Sequence, residues 1–386
     1  MSAAARKRIM AFSAAISFSW SLVLPFMWLE AYKGGMWELA LVRGPPALAY
    51  FLGLRLFGKL VDQLKLKKPF VKLGVVCNTA SLLLLSAMPA CCYPAIAVFW
   101  YFTYSALDSA LVVLVHDYSG EEAFGRGLGG IQLASLLSIT AGNLVGGEVT
   151  RLAGLERTSL LGAAASAASL LVAAGIEEPE SRGKLDIRQA AEWAFSFKVP
   201  KHLASLAVSL LVASMSVSQF YLAATAKLME ASSFSPLYYG AVVSASGLLS
   251  GLASPLFGKL VDQLGAYRSY VMSCLLYAAY LPAVAAASTP LALGALLAIP
   301  LFQLLYIAKT ALALKLSEHK GEAYSVSSGI GSLSEFVGNL TGSALEHHIG
   351  VNKVILASAI GAAAAPLLLH LHVATERPAS RARWQE

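Results

Sequence analysis

Charged residues are scarce in this chain of 386 residues. Only 13% are Asp, Glu, Lys or Arg, while 57% are hydrophobic, and the mean hydropathy is +0.65. Soluble domains carry about 25% charged residues, so this composition excludes a soluble globular protein. Apolar runs of about 20 residues, enough to cross a bilayer, follow one another from Met10 to Val373. Backbone groups in lipid must be paired within a segment, so the sequence predicts an all-α integral membrane protein.

The sequence also lacks the short motifs of metal sites and of common enzymes. Its four cysteines show no CxxC spacing, its seven histidines form no HExxH pair, and the adjacent His347 and His348 are predicted in an outer loop. Neither a GxSxG nucleophile turn nor a Walker lysine loop is present, which disfavours a hydrolase and an ATP-driven pump. We therefore expect no catalytic residues, no cofactor and no metal.

Breaks at charged or Gly/Pro-rich points divide the apolar runs into twelve predicted spans. The first six cover about 10–29, 37–57, 70–90, 94–116, 126–148 and 157–176. The second six cover about 202–225, 236–257, 267–288, 290–315, 324–346 and 353–373. These spans predict an N-terminal six-helix half at 1–176, a linker at 177–201, a C-terminal half at 202–373 and a tail at 374–386.

The linker is the longest polar segment. Five of its apolar residues recur at helical spacing: Ile187, Ala190, Ala191, Ala194 and Phe195. This pattern predicts a short amphipathic helix that lies on the inner leaflet.

Lys and Arg are distributed unequally between the two sets of loops. Of the 29 basic residues, 21 lie in or beside the terminal segments and the even-numbered loops, and five lie in the opposite loops. Basic loops stay in the cytoplasm, so we expect both termini on the cytoplasmic side of the cell membrane. The net charge of +7 is then a consequence of topology, and no nucleic-acid partner is expected.

Three stretches of the first half return in the second. The octapeptide FGKLVDQL occupies residues 57–64 and again 257–264. GEEAF at 120–124 corresponds to GEAY at 321–324, and GNLVGG at 142–147 corresponds to GNLTGS at 338–343. Six spans per half give both repeats the same orientation in the membrane.

The octapeptide carries a resemblance to the major facilitator superfamily. The signature of that family between spans two and three has the form Gly-x-Leu-Ala-Asp-x-x-Gly followed by two basic residues. Here the first copy has Gly58 and Asp62, with Lys67 and Lys68 as the basic end, and its second glycine is replaced. The later copy keeps Gly258, Asp262 and Gly265, with Arg268 as the only basic residue of its end.

The resemblance implies a fold and a gating role. The fold is twelve transmembrane helices, arranged as two parallel six-helix repeats around a central cavity lined by spans one, four, seven and ten. Asp62 should face the start of span eleven near Tyr324 and Asp262 the start of span five near Gly125, so that each latches the inner side shut. The physical reasons are that Gly58 allows close backbone approach and that a carboxylate suits a helix N-terminus. A helix cap with positive-inside lysines is the alternative.

Span five contains a glycine pattern similar to that of some exporters of the family. Gly129, Gly142, Gly146 and Gly147 match it, whereas Asn143 replaces its proline. Small residues four apart also allow helices to pack closely. The arginine that exporters carry in span four is missing, because no Lys or Arg occurs between Lys72 and Arg126. Uptake by symport and facilitated diffusion therefore stay open beside export.

Three ionisable residues lie inside predicted spans: Asp108 in span four, Lys309 in span ten and Glu335 in span eleven. Such residues are costly in a membrane and point to function. Two of them follow aromatic residues at helical spacing, namely Tyr101, Tyr104 and Asp108, and Phe302, Tyr306 and Lys309. We expect both groups to line the substrate and proton pathway, with Asp108 facing Lys309, and Gln219 of span seven to add a polar contact.

These features predict a secondary active transporter that moves a small organic solute by alternating access. Proton-coupled export by antiport is the main expectation, and a proton-coupled uptake symporter or a facilitative uniporter is the alternative. A membrane receptor on the same frame is a remote alternative. The expected partners are the solute, protons and the lipid bilayer, and we expect a monomer.

Overall fold

A computed structural model describes residues 3–119, 124–176, 186–196, 203–316 and 320–375. Within these ranges the chain forms fourteen α-helices and one short 3-10 turn, with no β-strand. The predicted tail at 374–386 lies almost entirely outside the described residues.

The helices of the first half and linker are α1 (Ala3–Ser21), α2 (Leu24–Tyr32), α3 (Met36–Leu64), α4 (Lys68–Ala87), α5 (Tyr93–Ser119), α6 (Phe124–Ala174) and α7 (Ile187–Phe195). Those of the second half are α8 (Ala204–Ala231), α9 (Pro236–Leu264), α10 (Ala266–Ala286), α11 (Pro290–Leu297), α12 (Leu301–Leu316), α13 (Lys320–Ile349) and α14 (Val351–Thr375).

These helices correspond to the twelve predicted spans, which confirms the fold class. Span one is divided into α1 and α2, and span ten is divided into α11 and α12 just before and after Pro300. Conversely, α6 holds spans five and six in one helix, interrupted only at Gly154, whose φ of 81° is left-handed. Glycine adopts that conformation without the steric cost of a Cβ atom, so the chain bends there without a loop.

Nine described segments are long and apolar enough to cross a membrane, and one of these, Leu133–Ala174, has the length of two spans. Among the described helices, α3 and α13 match predicted spans but are not in this apolar set. They carry Arg43 and Glu335 respectively. A charged span is stable in a membrane only where its charges face protein or water. The charged side chains of α3 and α13 therefore need polar surroundings inside the protein.

The described chain separates into two compact units. The first comprises Met1–Glu38, Pro45–Phe197 and Ser235–Leu248, and the second comprises Leu39–Gly44, Lys198–Phe234 and Leu249–Glu386. The units differ from the predicted halves in two places, because a short piece of α3 belongs to the second unit and the start of α9 belongs to the first.

The repeated GNL stretches pack in the same way in both units. A Cβ atom on Gly142 of α6 would lie 2.9 Å from the Phe18 carbonyl oxygen of α1. One on Gly338 of α13 would lie 2.7 Å from the Met215 carbonyl oxygen of α8. Both distances are too short for any side chain, so these glycines let the paired helices approach backbone to backbone.

The same stretch of α6 also contacts the start of α9. A Cβ atom on Gly147 would lie 2.9 Å from the Pro236 carbonyl oxygen, and one on Gly240 would lie 2.6 Å from the Asn143 carbonyl oxygen. Asn143 itself is buried. The surroundings of Gly129 lie outside the described side chains. The described glycines of span five therefore have a packing role, whatever the direction of transport.

A buried polar network joins four helices of the first unit. The Trp100 indole donates to the Asn78 carbonyl oxygen at 2.6 Å, and the Asn78 amide donates to the hydroxyls of Ser166 at 2.7 Å and Ser19 at 3.3 Å. These residues come from α5, α4, α6 and α1. Because buried polar groups need partners in an apolar interior, this network fixes the register of the helices and is not needed as a ligand site.

The linker helix α7 forms as predicted, but its small residues face protein. Ala190 and Ala194 are buried, and Ala190 belongs to the hydrophobic core of the first unit, whereas Phe195 is 74% exposed. Arg55 of α3 donates to the Trp193 and Ser196 carbonyl oxygens, both at 2.8 Å, and so caps the C-terminal end of α7. The helix is thus docked on the protein along its alanine face, and only the rest of its apolar surface is available to lipid.

Candidate functional site

The two copies of the octapeptide each end their helix with a left-handed residue. After α3 this residue is Lys65, with a φ of 54°, and after α9 it is Gly265, with a φ of 83°. Lys65 stands where the signature has its second glycine, so the backbone keeps the glycine conformation although the side chain has changed. A lysine in this conformation carries a steric cost that glycine avoids.

No close approach at Gly58 or Gly258 is seen among the described residues. An added Cβ atom would have no described neighbour within 4 Å at either position. The close backbone approach expected at Gly58 therefore stays a prediction. The side chains at Tyr324 and near Gly125, which the aspartates should face, lie outside the described part.

Asp62 is exposed at the end of α3. Partial burial of its carboxyl raises its pKa, and the nearby Lys59 and Lys67 act in the opposite direction. Lys68 donates to the Ala174 carbonyl oxygen at 2.8 Å, where α6 ends. One basic residue of the signature is thus used to cap a helix C-terminus, and the gating role of Asp62, Asp262 and Arg268 stays a prediction.

Asp108 of α5 lies in a half-buried aromatic group of the first unit. Its carboxylate accepts a short hydrogen bond from the Tyr50 hydroxyl of α3. The Tyr50 and Tyr101 rings meet edge to face, with centroids 6.3 Å apart, and Tyr104, one turn before Asp108, interacts electrostatically with it. The predicted Tyr101, Tyr104 and Asp108 face is therefore present, and Tyr50 completes it.

A second charged group lies in the second unit. Glu335 of α13 interacts electrostatically with Arg43 of α3 and Lys309 of α12. The Lys309 ammonium lies beside Gly331, where a Cβ atom would be 3.3 Å from its Nζ, and Gly331 is one helical turn before Glu335. Arg43 donates to the Thr225 hydroxyl of α8 at 3.4 Å. Arg43 thus points into this unit.

Aromatic rings surround this second group, which we call the cation cluster (Arg43, Lys309 and Glu335). Phe302 and Tyr306 of α12 are stacked, with centroids 6.3 Å apart and an interplanar angle of 29°. The Lys309 ammonium lies 5.7 Å from the Tyr306 ring centroid, within cation–π range. Tyr221 of α8 meets Phe302 edge to face at 6.0 Å. The predicted Phe302, Tyr306 and Lys309 face is therefore also present.

All three charged residues of the cation cluster are partly accessible to solvent although they sit among helices. Side chains that keep accessible surface inside a protein line cavities or crevices. Charged groups at membrane depth are tolerated in such places because water can reach them.

Gln219 differs from the expectation for a pathway residue. It is 6% exposed, and its amide donates to the Thr341 hydroxyl of α13 at 2.7 Å. This contact holds α8 against α13, which is a packing role. The predicted pairing of Asp108 with Lys309 joins one residue of each unit and stays a prediction, while each has partners within its own unit.

Sequence reasoning missed two residues of these groups. They are Tyr50, the partner of Asp108, and Arg43, a partner of Glu335. Both lie on α3, a span whose content of charged residues is unusual, and they are seven residues apart, the spacing of one helix face. That spacing is the sequence signal that could have identified them.

Comparison with known proteins shows the fold, and a family similarity over the second half of the chain. Residues 206–385 match the family model described as Major Facilitator Superfamily. No curated protein sequence matches the chain.

Solved structures are similar over almost the whole chain. The human organic anion transporter MFSD10 (TETRAN) has a TM-score of 0.71 and 16% identity, covering 94% of this chain and 98% of its own. A mutant peptide transporter POT in complex with sulfate has a TM-score of 0.76 and 14% identity, covering 99% and 96%. The nucleoside transporter NupG has a TM-score of 0.68 and 14% identity, covering 97% and 100%. At these identities the likeness shows the shared fold and not a shared substrate.

Proposed function

We propose that the chain is a member of the major facilitator superfamily and a proton-coupled secondary transporter, on the family match of its second half and the fold of the whole. It moves a small organic solute across the cell membrane by alternating access. The family gives the class of protein, a multi-pass membrane transporter, and the charged groups of this chain support the coupling.

The observation that carries the proposal is the placement of two carboxylates at membrane depth. Asp108 accepts a hydrogen bond from Tyr50, and Glu335 interacts with Arg43 and Lys309. A carboxylate in such a place is costly when ionised and unpartnered. A change of its partners during the transport cycle therefore changes its affinity for a proton, which is the physical basis of coupling.

The direction of transport needs separate support. The glycines of span five favoured export, but Gly142 and Gly338 have equivalent packing roles in the two units. Packing explains the described glycines of the pattern, so export by antiport loses its main support from sequence. Proton-coupled uptake by symport, the alternative, gains support from the cation cluster, as argued in the next subsection.

The proposal is tested with the purified protein in liposomes that contain a pH-sensitive dye. Metabolites and drugs that stabilise the protein against heat are added outside, and the internal pH is followed. A transported, proton-coupled solute changes the internal pH, and the sign of the change distinguishes symport from antiport. A solute that is transported without any pH change would indicate facilitated diffusion, and a solute that binds but is not transported would indicate a receptor.

A further inference from the structure

We propose that the cation cluster binds an organic anion, and that this anion binds together with a proton carried by Glu335. The inference rests on the proposed function and adds to it the class of substrate and the sign of the coupling. It is carried by the charges of the cluster, by their electrostatic interaction and by the rings around them.

The charge balance of the cluster favours an anion. With all three side chains ionised, Arg43, Lys309 and Glu335 sum to +1, and the sum becomes +2 when Glu335 is protonated. Excess positive charge at membrane depth is costly, and an anionic ligand lowers this cost directly. A cationic ligand would raise it.

Glu335 and the ligand use the same partners. The Glu335 carboxylate interacts with both cations of the cluster, so it occupies the electrostatic position that the anionic group of a ligand would take. An ionised Glu335 therefore competes with the anion, and a protonated Glu335 leaves both cations to it. Proton and anion bind cooperatively as a consequence, and a carrier that holds both moves them in the same direction, by symport.

The charged side chains that interact with Glu335 are Arg43 of α3 and Lys309 of α12. The face of α8 contributes the neutral Tyr221 and Thr225, which contact the aromatic group and Arg43 respectively. Glu335 is thus the titratable carboxylate through which a proton can act on the two cations.

The rings indicate the rest of the ligand. Phe302 is 43% exposed although it is stacked on Tyr306 and contacted by Tyr221. Exposed aromatic surface beside two cations suits a molecule with an apolar or aromatic body and one anionic group, because the rings cover the body while Arg43 and Lys309 hold the charge. The geometry therefore points to an amphiphilic organic anion such as an aromatic carboxylate.

The test compares ligands that share a skeleton and differ in charge. The thermal unfolding of the purified full-length protein is measured with phenylacetate, phenethylamine and phenylacetamide, and again with hexanoate, hexylamine and hexanamide, at pH 6 and pH 8. The carboxylates should raise the Tm and the amines and amides should not. Both carboxylates are ionised at both pH values, so their Kd should be about fivefold or more tighter at pH 6, because protonation of Glu335 leaves both cations to the ligand.

Variants assign the effect to the cluster. Arg43→Gln and Lys309→Gln should lose the stabilisation by carboxylates. Glu335→Gln should keep it and should bind the carboxylates more tightly than the parent protein does at pH 8, since glutamine represents the protonated state. Lys315→Gln on α12 and Glu346→Gln on α13 are matched controls on the same helices and should behave as the parent protein does.

Three results would overturn the proposal. They are stronger stabilisation by amines than by carboxylates, loss of carboxylate binding in Glu335→Gln, and no stabilisation by any carboxylate in either the parent protein or Glu335→Gln. The proposed function fails separately. If amines drive proton movement in the liposome assay, the protein is a proton-coupled transporter but not one for anions, whereas no solute-driven proton movement at all would reject the coupling itself.

Discussion

At the end of α3, a single residue, Lys65, departs from the family signature. Lys65 takes the left-handed conformation that Gly265 takes at the equivalent place in the second repeat. The backbone geometry is therefore kept where the glycine is lost, and the steric cost falls on the lysine.

We predict that Lys65→Gly stabilises the protein. Removal of the Cβ atom relieves the left-handed strain, which is worth about 0.5–1 kcal/mol after the added entropy of the unfolded chain is deducted. Denaturant titration in detergent measures the free energy of unfolding. Lys65→Ala removes the same charge but keeps the Cβ atom, so it should give no gain, and equal gains from both variants would show that charge and not strain is responsible.

The pH dependence of Asp62 gives a second prediction at this scale. Partial burial raises its pKa above the ordinary value of 3.8, against the opposing effect of Lys59 and Lys67. The folded protein therefore binds this proton more tightly than the unfolded chain does, so ionisation of Asp62 lowers stability as the pH rises through that range. Asp62→Asn should be at least as stable as the parent protein at pH 7, and this difference should vanish below about pH 4.

The same variant should slow transport if Asp62 latches the inner gate. Preserved stability with slower transport would separate a gating role from a folding role. Asp262→Asn provides the comparison in the second repeat, where a smaller effect is expected because its basic end is only Arg268. If both variants transport at the parental rate, the helix-cap alternative is correct.

At the scale of helices, close packing explains the repeated glycines. Gly142 and Gly338 stand where α6 meets α1 and where α13 meets α8, whereas Gly58 and Gly258 have no described neighbour within 4 Å. In the repeat, Gly142 corresponds to Gly338 and Gly58 corresponds to Gly258. The two members of each pair therefore serve as replicates of one another.

We predict that Gly142→Ala and Gly338→Ala each destabilise the protein by about 1–3 kcal/mol, the usual cost of overpacking. Gly58→Ala and Gly258→Ala should change the stability of this conformation little. The apparent Tm of the four purified variants tests the contrast. A loss at Gly58 as large as at Gly142 would mean that a second, more closely packed conformation dominates in detergent.

Helix positions were largely predictable from the sequence, because a span needs only length and apolarity. The twelve spans and their repeat followed from the apolar runs and the octapeptide. The sequence did not predict the breaks before α2 and at Pro300 or the continuity of α6 through Gly154. An apolar run long enough to cross a bilayer has the same sequence pattern whether its helix is straight, interrupted or continuous with the next helix.

Side-chain partners were less predictable than helices. The faces that carry Asp108 and Lys309 followed from helical spacing, since residues on one face are fixed by the helix itself. The Tyr50 and Arg43 contacts join residues far apart in sequence and depend on which helices pack together. The alanine face of α7 was likewise assigned to lipid because an amphipathic pattern does not say whether lipid or protein covers it.

At the scale of the whole molecule, the unequal distribution of basic residues predicts a topology with both termini in the cytoplasm. Single cysteines at Lys184 and Arg381 should react with an impermeant reagent only from the cytoplasmic side, and one at Lys353 only from outside, in a background whose four native cysteines are replaced. Labelling of the C-terminal position from outside would contradict the assignment.

The whole molecule is proposed to convert a proton gradient into accumulation of a solute, and Glu335 is the residue on which this account depends. The decisive measurement uses proteoliposomes of the parent protein and of Glu335→Gln, with the solute that moves protons in the liposome screen, and compares accumulation driven by a pH gradient with downhill exchange. The account predicts that Glu335→Gln abolishes the accumulation and retains the exchange, because the carrier still alternates but no longer binds the proton. Gradient-driven accumulation at the parental level in Glu335→Gln would contradict it.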